Sequence, residues 1–188
     1  AAQEAGARNP HLRLGPRTRT ALETLLSGKK VSDVLGACQA IEVATGWSRD
    51  CCEMIARHGA VAVLLRFIRS CNRSEPHVRL LAHALGIIRN LCSHAHLVDE
   101  VARVPDCVNI LTEHMQMFRD KQEVFVAAVG IMGVVCACPA RAALVAGQGE
   151  CVKRMEAIHM LLQRKLETER RWLARMQGVG ARAAGRVV

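Results

Sequence analysis

Nine cysteines and eight histidines are the side chains of this 188-residue sequence best suited to chemistry, and their spacing argues against it. Cys136-Ala-Cys138 has no second Cys or His pair nearby at zinc-ligand spacing. Cys51 and Cys52 adjoin on one predicted helix, where neighbouring side chains diverge. His94 and His96 stand two apart, the wrong interval for one helical face. No phosphate-binding loop, Gly-x-Ser-x-Gly run or paired-carboxylate motif is present. The expectation is a chain that binds and does not catalyse, with no catalytic residue, cofactor or metal.

Three groups of residues could bind a partner. Arg69-Ser-Cys-Asn72-Arg73 is a polar loop between two apolar segments, and its two guanidinium forks suit carboxylates on an acidic partner. The alternative is that Asn72 and Ser74 shape the turn and cap the next helix. Asn90 stands where helical-repeat proteins that clasp extended peptides place an asparagine, which bonds the peptide backbone in both directions. Its equivalents are Val43 and Val134, so the ladder has one rung of three, and Asn90 could equally satisfy a neighbouring backbone. The predicted helix Val152–Gln177 has Met155, Ile158, Leu162, Leu166, Leu173 and Met176 on one side. Arg164, Lys165, Arg170, Arg171 and Arg175 crowd the rest, with Trp172 near the end. Such a helix is either the polar cap of a stack or a basic amphipathic target for calmodulin or a membrane surface.

The elements that position these residues repeat. Leu81, Ala84, Leu85, Ile88, Leu91 and Cys92 mark one face of a helix, and Val61 to Ile68 is too apolar to stand alone. Asp106-Cys-Val-Asn-Ile-Leu111 matches Gly59-Ala-Val-Ala-Val-Leu64 at a shift of 47, and Glu150-Cys-Val152 follows after a further 44. Ala84-Leu-Gly-Ile87 recurs as Ala128-Val-Gly-Ile131. A period in the mid-forties built from two or three helices predicts an all-α, armadillo/HEAT-like solenoid of about three to four units. Predicted helix starts are Thr20, Ser32, Ser48, Ser74 and Asp120, each read as a cap or capping box. Val124 to Ala140 carries no charge for 17 residues, yet it falls short of a span and aligns with the buried helix of the unit.

Composition sets the remaining limits. Apolar residues make up 51% and aromatic residues 3%, so aliphatic side chains carry the core. An odd number of cysteines in apolar stripes, with no signal peptide in front, predicts buried free thiols in a reducing compartment. The net charge of +9 sits at the ends: residues 1–19 carry +3, residues 152–188 carry +6, and 20–151 sum to zero. That distribution argues against a nucleic-acid groove running along the repeats. The expected division is a flexible linker at 1–16, a helical-repeat domain at 17–177 and a flexible basic tail at 178–188.

The Gly-Ala-Val start at Gly59 and the helix ending Ile87-Ile-Arg-Asn-Leu-Cys92 look like the armadillo repeat. Ala21-Leu22 with Leu25-Leu26, Glu42-Val-Ala-Thr45, Cys51-Cys-Glu53, Gly59-Ala60 and above all Ile68-Arg-Ser-Cys-Asn-Arg-Ser74 resemble the C-terminal region of the abnormal-spindle, microcephaly-associated protein family. The resemblance covers residues 18–170 and is closest over the first hundred. It implies the repeat module of a large cytoskeletal protein that organises the mitotic spindle and focuses microtubule minus ends. The implied location is the cytoplasm and spindle pole, and the nucleus in interphase. The family's partners, calmodulin and the severing enzyme katanin, are implied through other parts of the full-length protein. No Ile-Gln-x-x-x-Arg-Gly run is present here to carry calmodulin binding over. The alternative is a peptide-binding armadillo adaptor without a spindle role.

Overall fold

Residues 11–28 and 30–184 are described by a computed structural model, with side chains placed over 15–28 and 30–174. Ten helices occupy the described residues: α1 (His11–Ser27), α2 (Val31–Trp47), α3 (Arg49–Arg57), α4 (Ala60–Ser70), α5 (Glu75–Cys92), α6 (Ala95–Arg103), α7 (Cys107–Met117), α8 (Gln122–Cys136), α9 (Pro139–Ala146) and α10 (Gly149–Ala184). No strand interrupts them among these residues.

The helices stack in two rows. One row is α2, α5 and α8, the other is α1, α4, α7 and α10, and the short helices α3, α6 and α9 link them. Every helix pair in substantial contact lies at most three places apart in the chain, so each unit touches only its neighbours. This is the all-α repeat stack that the sequence period predicts. Helix α5 is covered on both sides by α2 and α8, which explains its near-continuous apolar sequence. It buries Leu80, Leu81, Ala84, Leu85, Gly86, Ile87, Ile88, Leu91 and Cys92. Helices α3 and α6 need cover on one side only, and they bury a single stripe each: Cys51, Cys52 and Ile55, then Leu97, Val98 and Val101.

The period seen in the sequence returns as hydrogen bonds between units. Gln39 bonds His83 across 44 residues, Asn90 reaches Thr45 across 45, Arg73 reaches Asp120 across 47, and Cys151 reaches Asn109 across 42. The aligned residues Gly59 and Asp106 also share a conformation. Both precede a middle helix in the left-handed region, with φ of 67° and 62°. Glycine adopts it freely, and aspartate is one of the few other residues that tolerate it.

Several helix ends differ from the sequence reading. Ser48 caps α3 as expected, accepting from the Cys51 N–H at 3.4 Å. Thr20 does not open a helix, because α1 begins at His11 and carries Pro16 inside it, and the Thr20 hydroxyl bonds back to the Pro16 carbonyl. Ser32 lies inside α2, whose N-cap is Lys30. Ser74 holds the N-cap position of α5 without a side-chain cap bond. Asp120 is taken by Arg73, so α8 starts after Lys121 instead. The uncharged run Val124–Ala140 is broken rather than continuous. Pro139 cannot continue α8 and opens α9, with a bend of 113°. Among the described residues no single helix is long and apolar enough to cross a membrane. Residues 11–16, read as linker, are helical, and α10 runs through Gly178 and Gly180 to Ala184, where glycines suggested a tail. Residues 1–10 and 185–188 lie outside the described residues.

Candidate interaction surface

Helices α2, α5 and α8 together form a groove of about 620 Å³, lined by Glu42, His83, Gly86, Arg89, Glu123 and Val126 among others. The side chain of Glu42 crosses from α2 onto α5. Its carboxylate accepts from His83 Nδ1 at 2.7 Å, and Gln39 meets His83 Nε2 at 3.3 Å. That crossing is possible because residue 86 has no side chain, and a Cβ there would collide with the Glu42 carboxylate. Arg89 and Glu123 are exposed on the groove wall with no ion-pair partner among the described residues. The groove thus offers one free cation, one free carboxylate and the apolar Val126. His83 and Arg89 stand off the apolar stripe in the sequence, which puts them on the outer side of α5. Only the stacking register brings His83 onto Glu42 and sets Arg89 in the same groove as Glu123.

Asn90 lies half-buried beside this groove and is already occupied. Its amide donates to the Glu42 carbonyl and to Thr45 Oγ1, each at 3.1 Å. It ties α5 to α2, which is the neighbouring-backbone alternative to a peptide rung. Its ladder equivalents Val43 and Val134 are exposed. Trp47, 74% exposed, is at the end of α2.

The arginine loop is engaged within the stack. Arg69 pairs with Asp106 at 3.2 Å. Arg73 donates to the Met117 carbonyl and to Asp120, and its guanidinium lies 5.9 Å from the centre of the Phe118 ring. His114 stacks on the same ring at 5.6 Å. Asn72 accepts from the Ser74 N–H at 2.9 Å, shaping the turn. Both forks therefore bind carboxylates of the next unit of this chain, and the geometry gives each a structural occupation.

Helix α10 leaves the stack part-way along its length. Cys151 and Ile158 are buried, while residues 159–174 are exposed throughout. Arg164, Lys165, Arg170, Arg171, Trp172 and the apolar Leu161, Leu162, Leu166 and Leu173 all fall in that stretch. Lys165 and Arg171 make only distant pairs within the helix, to Glu169 at 4.0 Å and Glu167 at 3.9 Å. A cap that covers the stack accounts for the first turns of α10 and not for this exposed part.

The cysteines are separated by their surroundings. Burial pushes the thiols of Cys38 and Cys107 up to about 12, and those of Cys52, Cys71 and Cys92 up to about 11. Cys138 moves the other way, held below the ordinary thiol value by the backbone N–H groups of Arg141 and Ala140 at the start of α9. Among the described residues no group of three or more His, Cys, Asp or Glu is placed to hold a metal ion.

Comparison with known proteins gives a consistent result. The chain is 31% identical over 169 residues to the abnormal spindle-like microcephaly-associated protein homolog of Canis lupus familiaris, covering 84% of this chain and 5% of that protein. The Bos taurus homolog is 31% identical over 165 residues, covering 82% and 5%. The Homo sapiens protein is 30% identical over 169 residues, covering 84% and 5%. The chain belongs to the abnormal spindle-like microcephaly-associated protein family. It spans about 5% of the length of these relatives, so it corresponds to one small region of the family's proteins. The abnormal spindle-like family is spindle-associated, and the helical repeat stack described above is the region shared with it. No family model and no solved structure matches the chain.

Proposed function

We propose that this chain is a non-catalytic protein-interaction module of a spindle-organising protein, and that the groove formed by α2, α5 and α8 is where its partner docks. The observation that carries the reading is the groove itself. Three successive units contribute to it, and it presents an unpaired arginine and an unpaired glutamate together with the Glu42–His83 pair and the apolar Val126. A row of this kind suits an extended or helical segment of another protein, met by side chains at the spacing of the repeat. The short first helix, apolar second helix and long third helix of the two three-helix units, α3–α5 and α6–α8, support an armadillo-type repeat. By resemblance, the module belongs to the machinery that focuses microtubule minus ends at the spindle pole, with calmodulin and katanin engaged by other parts of the full-length protein.

The test is affinity capture from mitotic extract with the chain as bait, comparing Arg89→Glu and Glu123→Arg with Arg69→Ala. The expected result is capture of spindle-pole proteins, reduced about tenfold or more by a groove substitution and unchanged by Arg69→Ala. Capture that is indifferent to both groove substitutions would move the site elsewhere. Capture of groove-dependent partners that are not spindle proteins would leave a peptide-binding adaptor in place of a spindle module.

A further inference from the structure

Helix α10 and the corner between α7 and α8 enclose a cleft of about 300 Å³, which shares no lining residue with the groove of α2, α5 and α8. Its apolar lining is the buried Ile158, the half-buried Phe125 and the exposed Leu161 and Leu162. Arg119 and Lys165 supply cations, and the one carboxylate on the lining, Asp120, is held by Arg73. Arg119 is exposed and donates to the Gln116 carbonyl, with no ion-pair partner among the described residues.

The face of α10 that lines the cleft runs on past the stack. Ile158, Leu162 and Lys165 continue at three- and four-residue steps to Glu169, Trp172 and Leu173, with Leu166 beside them. Leu161, Leu162, Leu166, Trp172 and Leu173 are 41–58% exposed. Arg164 and Arg170 flank this stripe on opposite sides, and neither has an ion-pair partner among the described residues. Glu169 is the only carboxylate on the stripe in this stretch, and Lys165 lies 4.0 Å from it.

We propose that the cleft and the projecting face of α10 take an amphipathic helix from an acidic partner protein. The partner's apolar stripe lies on Leu162, Leu166 and Leu173, one of its side chains fills the cleft, and its flanking carboxylates meet Arg119, Arg164 and Arg170. Charge selects this occupant. A second copy of the chain would bring the same cations against these, since residues 152–188 carry +6. Shape disfavours a lipid surface: a flat bilayer does not enter a cleft walled by the α7–α8 corner, and Glu169 on the stripe opposes burial in hydrocarbon. At a protein interface Lys165 stays beside Glu169 and offsets its charge. The run from Ile158 to Leu173 is ~22 Å long, room for about four turns of a partner helix.

Fluorescence anisotropy with the full chain tests this, the probe being a stapled helical peptide with leucines on one face and glutamates along both flanks. Binding is expected to saturate and to weaken as salt is added. Leu162→Glu is expected to weaken it about tenfold or more, and Arg119→Glu about fivefold or more. Both positions are exposed, so the melting temperature is expected to hold. If Leu162→Glu lowers it, Leu162→Ala is read instead and is expected to weaken binding likewise. Arg89→Glu, in the groove of α2, α5 and α8, is expected to leave this binding unchanged, which separates the two surfaces. A peptide that does not bind overturns the proposal, as does equal binding of the same peptide with lysines in place of its glutamates. Binding indifferent to Arg119→Glu also overturns it, because the contact would then lie on α10 alone, as for a protein that wraps the whole helix. Leu162-dependent binding to phosphatidylserine vesicles in place of the peptide would make the surface a membrane contact and overturn it too.

Discussion

Glu42 of α2 lies across Gly86 of α5, its carboxylate bonded to His83 one turn away. The contact couples two residues of successive units, and it depends on the absence of a side chain at position 86. Gly86→Ala is expected to displace the Glu42 carboxylate and break its bond to His83. The obstructing atoms are the far end of a flexible side chain, so the steric cost is small, and alanine gains about 1 kcal/mol in a helix interior. The net change in melting temperature is therefore expected to be small. The loss is read instead in the His83 ring resonances, which cease to respond when Glu42→Gln is added. A large fall in melting temperature for Gly86→Ala would mean that Glu42 cannot leave.

Asn90→Ala removes two half-buried inter-unit hydrogen bonds, to the Glu42 carbonyl and to Thr45. The expected cost is about 1–2 kcal/mol. At roughly 2–4 °C per kcal/mol for a chain of this size, thermal melting should show it clearly. An unchanged melting temperature, with loss of partner capture only, would return Asn90 to the role of a peptide clasp.

The Arg73–Asp120 pair gives the acid response a definite sign. The hydrogen bond from Arg73, aided by a backbone hydrogen bond, holds the Asp120 carboxyl below its ordinary value. A depressed folded value means that the pair stabilises the fold above the unfolded carboxylate value of about 4. That stabilisation is lost as pH falls through the lower folded value. Asp120→Asn should therefore lower stability at neutral pH and converge with the unsubstituted chain in acid. Denaturant titrations at pH 7 and pH 3 measure the difference. Equal differences at both pH values would remove the ion pair from the account.

Cysteine reactivity should divide along the same lines as burial. With a limiting alkylating reagent near pH 8, Cys138 is expected to react first, and Cys38, Cys52, Cys71, Cys92 and Cys107 only after unfolding. Peptide mapping by mass spectrometry gives the order. Early labelling of Cys38 or Cys107 would contradict the burial of α2 and α7 in the stack.

Asp106 and Gly59 invite a paired substitution. Asp106→Gly relieves a left-handed aspartate and loses an exposed ion pair to Arg69, two effects of about 1 kcal/mol or less that oppose each other. Stability should stay within about 1 kcal/mol of the unsubstituted chain. Asp106→Val should cost more, because a β-branched residue is a poor occupant of that conformation.

Much of this was legible in the sequence because it depends on periodicity. The shift of 47 between Gly59 and Asp106 marks equivalent turns, and the apolar stripe of α5 marks the helix covered on both sides. The groove was not legible, because Glu42 and His83 become neighbours only through the stacking of two helices, and no local pattern links them. Arg69 and Arg73 stood out as free forks for the same reason, since their partners Asp106 and Asp120 lie a full unit further on. Asp120 read as a capping residue because its local spacing to Glu123 fits that role, and the inter-unit pair with Arg73 overrides it. The broken run after Cys136 was signalled by Pro139, whose effect as a helix start outweighs the continuity of the apolar residues around it.

The central claim is that helices about forty-five residues apart lie side by side and that units further apart do not meet. Nuclear Overhauser contacts in the isotopically labelled chain test it directly. Contacts are expected between the Asn90 side-chain amide and Thr45, and between Asn109 and Cys151, with none joining α1 or α2 to α10. Contacts between α2 and α10, or the absence of the Asn90–Thr45 contact, would contradict the serial stack.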